Sequence, residues 1–61
     1  MKITIRAEGN DKDTELVFSN DQLNNYNFVD ILTDDNCYTV SLTDLDGIVE
    51  AFKVQREDDK L

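Results

Sequence analysis

The hydrophobic period of this chain changes once, and that change limits the folds open to it. From Lys2 to Ala7, Ile3, Ile5 and Ala7 alternate with Lys2, Thr4 and Arg6, and from Thr14 to Phe18 the alternation sets Leu16 and Phe18 on one side. Period two is the pattern of a half-buried strand, and Ile and Thr suit a pleated surface. After Thr43 the apolar residues Leu45, Ile48, Val49 and Phe52 recur every three or four positions, the spacing of one helix face. The order is strands first, then a helix.

Loop parity sets the strand registers. The segment Glu8-Gly9-Asn10-Asp11-Lys12-Asp13 is rich in turn formers. Six residues in the loop place Ile3 opposite Phe18, Ile5 opposite Leu16 and Ala7 opposite Thr14, whereas a slip of one residue scatters the apolar set over both faces. Phe28–Thr33 and Tyr38–Leu42 form a second apolar pair around Asp34-Asp35-Asn36-Cys37. An even loop there pairs Thr33 with Tyr38, Ile31 with Val40 and Val29 with Leu42; an odd loop would turn Asp30 inward. Between the hairpins, Ser19 and Gln22 have capping-box spacing, which permits one helical turn. The alternative is a polar connection pinned by Leu23 and Tyr26.

Thr43 is the expected N-cap of the final helix, with Asp44 and Asp46 in its first turn and Lys53 and Arg56 near its last, as the helix dipole favours. Gly47 interrupts the helix and suggests close approach to the sheet. The fold class is therefore α+β, a small antiparallel meander of about four strands with one C-terminal amphipathic helix packed on one face. The expected core is Ile3, Ile5, Leu16, Phe18, Val29, Ile31, Tyr38, Val40, Leu42, Leu45, Ile48, Val49 and Phe52. Residues 1–61 form a single acidic domain, with a frayed tail at 57–61.

At 61 residues the chain has room for one core and little stability to spare. The net charge of −8 repels a phosphate backbone and an anionic membrane surface, which excludes direct nucleic-acid binding and membrane docking. The lone Cys37 forms no internal disulfide, and with no signal-like or transmembrane apolar run the expected location is the cytoplasm.

The chemistry of the side chains argues against an enzyme. The sequence has no His, which removes the commonest general base and the Ser-His and Cys-His nucleophile pairs. Carboxylates beside Cys37 oppose its thiolate. Gly9 and Gly47 are isolated, so no phosphate-cradling loop exists. Asp44-Leu45-Asp46-Gly47 resembles the middle of a calcium loop, but with Gly47 at its sixth position the first falls on Leu42 and the twelfth on Lys53, and both carboxylate ligands are missing. No metal or cofactor is expected.

The expected function is a non-catalytic protein-interaction or accessory domain, with a protein partner or a second copy as its ligand. The registers send Val17, Phe28 and Leu32 away from the helix, which makes them a candidate interface. Asp34, Asp35, Asp44 and Asp46 form a candidate acidic surface. In size and charge the chain resembles small phage or mobile-element inhibitors that mimic nucleic acid, and that resemblance implies an alternative role as a blocker of a nucleic-acid-binding protein. Lys2, Arg6, Lys12, Lys53, Arg56 and Lys60 interrupt the negative charge.

Overall fold

The computed structural model describes residues 1–59. Four strands, β1 (Lys2–Ala7), β2 (Thr14–Ser19), β3 (Phe28–Leu32) and β4 (Cys37–Ser41), form one antiparallel sheet in the order β1-β2-β3-β4. A single helix, α1 (Leu42–Asp59), follows. This is the α+β meander the change of period implies.

The first hairpin has the expected register, with Ile3 opposite Phe18, Ile5 opposite Leu16 and Ala7 opposite Thr14. Gly9 is needed in its loop because a Cβ there would collide with the Lys12 carbonyl. The second hairpin keeps the expected parity but slides by two residues: Ile31 pairs with Tyr38 and Val29 with Val40. Thr33 causes the slide. Its amide donates to the Asn36 carbonyl at 2.8 Å, and its Oγ1 accepts from the amides of Asn36 (3.1 Å) and Asp35 (3.4 Å). The turn therefore closes at Thr33–Asn36, leaving Cys37 in β4 and Leu42 beyond it.

No helix forms between the hairpins. Ser19 Oγ accepts from the Asp21 amide at 3.2 Å, Asn25 Oδ1 accepts from the Asn27 amide at 2.9 Å, and short turns carry the chain across. Leu23 is half-buried while Tyr26 is exposed, so of the two apolar side chains only Leu23 is tucked in. The Met1 amino group bonds Asn20 Oδ1 and Asp21, and holds the Asp21 carboxyl below its usual pKa.

The helix begins earlier than expected. Ser41 is the N-cap, its Oγ accepting from the amides of Thr43 (3.1 Å) and Asp44 (3.5 Å), and the Leu42 amide donates to the Asn27 carbonyl at 2.9 Å. Residues 57–59, expected to fray, are helical; the rest of that tail lies outside the described residues.

The helix does not cover the sheet, contrary to the packing expected from its apolar stripe. It approaches chiefly β4, and only Leu45 is half-buried along its length. Ile48, Val49 and Phe52 are exposed, Phe52 to 67%. Consequently no apolar side chain among the described residues is buried, and the thirteen expected core residues are all half-buried or exposed. The physical reason is connectivity: β4 ends at Ser41 and α1 starts at Leu42, with no loop in which the chain could reverse onto its own sheet. The radius of gyration, 14.0 Å, exceeds the roughly 10.5 Å of a compact chain this long.

Gly47 is not a point of close approach, since a Cβ there would meet nothing within 4 Å. Gly47→Ala is therefore expected to raise stability by about 0.5–1 kcal/mol through the helix alone. Ser41→Ala, which removes the cap, should lower it by about 1 kcal/mol. Urea unfolding at one fixed protein concentration, followed by circular dichroism, checks both signs.

Candidate interaction surface

The registers divide the sheet into two unlike faces. One carries Ile3, Ile5 and Ala7 of β1, Thr14, Leu16 and Phe18 of β2, Val29 and Ile31 of β3, and Tyr38 and Val40 of β4. It contains no charged residue. The other carries Lys2, Arg6, Glu15 and Asp30 among its positions, with Thr39 donating to Asp30 across β3 and β4 at 2.7 Å.

The uncharged face is open to solvent. Ile3 is 52% exposed, Ile5 47% and Tyr38 54%, while Leu16, Phe18, Val29, Ile31 and Val40 are half-buried against one another. At the end nearest the helix start, Met1, Ile3, Phe18, Phe28, Leu42 and Leu45 line an apolar cleft of about 300 Å³. From Leu45 the apolar residues continue along the helix through Ile48, Val49 and Phe52. The sheet and the helix of one chain thus both present apolar side chains to water.

The structure separates the residues expected to form an interface. Val17 and Leu32 are cross-strand partners on the charged face, next to Cys37, which pairs with Leu32. Val17 is half-buried and Leu32 only marginally exposed. Phe28 lies at the far end of β3, opposite Ser41, and lines the cleft with Ile3 and Leu45 instead of joining Val17.

The acidic residues are separated too. Asp34 and Asp35 sit in the turn before β4, whereas Asp44 and Asp46 sit in the helix after it, so the five residues of β4, about 17 Å, lie between the pairs. Asp34 accepts from Thr14 Oγ1 at 3.2 Å and stands 3.9 Å from Lys12 Nζ; Arg6 pairs with Asp13 at 2.8 Å nearby. These exposed pairs contribute little to stability but offset part of the local negative charge.

Reasoning from sequence placed Ile5, Tyr38, Ile48, Val49 and Phe52 in a core, and so missed them as surface. One signal was available: between Val40 and Thr43 stand only Ser41 and Leu42, with no glycine, proline or other loop chemistry to turn a helix back.

No known protein family, curated protein or solved structure matches the chain. Among the described residues, no helix is long and apolar enough to cross a membrane, and no group of three or more His, Cys, Asp or Glu residues is placed to hold a metal ion.

Cys37 is exposed on the charged face, away from the apolar surface. Its alkylation by iodoacetamide in the native protein should proceed within a few-fold of the rate in urea and should not change with protein concentration. Mass spectrometry of timed samples reads both.

Proposed function

We propose that this chain is a non-catalytic protein-binding domain whose contact surface is the uncharged sheet face together with the helix stripe Leu45, Ile48, Val49 and Phe52. The observation that carries this reading is the juxtaposition of two apolar faces, uncovered in the isolated chain, on a sheet and a helix joined without a spacer. Large contiguous apolar patches on monomeric proteins often mark the places where protein contacts form. The absence of His from the sequence favours binding over turnover.

The wide spacing of the acidic pairs gives less support to mimicry of nucleic acid, which requires carboxylates in a phosphate-like row. An apolar contact also differs from an acidic one in its salt response: screening weakens attraction between opposite charges but leaves apolar burial intact.

The test is size analysis of the tagged chain in extracts of the cells that express it. The chain should travel in an assembly that survives high salt. Ile5→Asp or Phe52→Asp should release it, whereas Leu32→Asp and Thr39→Asp on the other face should not. Free chain at every salt concentration, or an assembly indifferent to Ile5→Asp and Phe52→Asp, would remove this surface from consideration.

A further inference from the structure

We infer that the occupant of this surface is a second copy of the same chain, with the helix of each copy lying across the uncharged sheet face of the other. The inference rests on the proposed binding surface and names its partner.

Four observations converge on this arrangement. First, the helix cannot serve its own sheet: α1 starts at the residue after β4, where connections between strand and helix ordinarily span two to six residues. Second, the two uncovered faces are halves of one ordinary core, a sheet face without charge and a helix stripe of Leu45, Ile48, Val49 and Phe52. A foreign protein would have to supply two different complementary surfaces, one for the sheet face and one for the helix stripe. A second copy related by a two-fold axis covers both at once, because every contact is made twice.

Third, the areas agree with a stable dimer. The chain exposes 5332 Å², about 1,300 Å² more than the roughly 4,000 Å² of a compact folded chain of its mass. Two copies that buried this excess would form an interface of about 2,600 Å² in total, within the range of obligate homodimers. Fourth, the pieces fit in size. The stripe from Leu45 to Phe52 is about 10 Å long, and three strand spacings make the four-stranded face about 14 Å wide, so the stripe of one copy fits across the uncharged face of the other.

Charge opposes the association, since each copy carries −8, and it therefore sets the direction of the salt effect. Sedimentation equilibrium of the full chain should show a dimer whose dissociation constant falls as salt is raised. Phe52→Asp and Ile5→Asp should each weaken the dimer at least about tenfold, and Leu32→Asp should leave it within about twofold. A strict monomer at all concentrations and salts overturns the inference. If that monomer still enters a Phe52-dependent assembly in extract, the binding surface stands and only the partner was misassigned.

A second measurement uses the fold intact, in case Phe52→Asp unfolds the chain along with the dimer. A spin label at Lys53→Cys in a Cys37→Ser background, mixed with isotope-labelled chain that carries no spin label, should broaden the amides of β1 and β2 in the labelled copy most strongly. Broadening strongest on α1 would mean helix-to-helix pairing and would overturn the reciprocal arrangement.

Discussion

The junction between β4 and α1 governs the rest of this structure. Three hydrogen bonds fix it within a few residues: two amides of the first helical turn donate to Ser41 Oγ, and the Leu42 amide donates to the carbonyl of Asn27 at the mouth of β3. These bonds set the direction of the helix, and of its apolar stripe only Leu45 is left against the sheet. Leu42 and Leu45 reach the cleft beside Ile3 and Phe18, and beyond them the stripe runs out into water. An isolated helix of this length gains little from propensity alone and depends on burying one side. The sheet depends on burial in the same way, since a single layer of strands leaves both its faces open unless something packs on one of them.

Local interactions are enough to determine the sheet. Every strand pairs with its sequence neighbour, so each contact is a hairpin or a short return, and the turns decide the register. Thr33 does more than end a strand: by supplying both a side-chain acceptor and the closing amide, it selects the pairing of Ile31 with Tyr38 over the alternative two residues away. Both pairings put Ile31 and Val29 on the same face, so apolar patterning cannot distinguish them. Turn chemistry does.

This explains which parts of the fold were legible in the sequence. Period and parity encode the strands, the helix and the membership of each face, and those readings hold for Ile3, Ile5, Leu16, Phe18, Val29 and Ile31. A shift of two residues leaves no trace in an alternating pattern, so the pattern alone fits Val29 opposite Leu42 as well as opposite Val40. The N-cap was misplaced for a related reason: Ser41 and Thr43 are both competent caps, and the choice falls to Ser41 because the slide of β4 frees Leu42 to begin the helix. Most consequential was the covering of the sheet. A hydrophobic stripe states that a face needs a partner but carries no information on whether the partner is in the same chain. The candidate interface Val17, Phe28 and Leu32 followed from assuming that it was.

The distribution of charge is consistent with the same division of the molecule. Acidic groups occupy the loops, the polar side of the helix and the charged sheet face, while the opposite face has none. The edge strand β1 bears Lys2 and Arg6, which discourages edge-to-edge growth of the sheet there. With −8 on each chain, approach of two copies is unfavourable in most orientations. Only a contact that removes a large apolar area can overcome that repulsion, and among the described residues the uncharged sheet face, the cleft and the helix stripe offer such an area. Repulsion elsewhere thus sharpens specificity for that surface, and the charge which lends solubility to the separate chain also limits how it can associate.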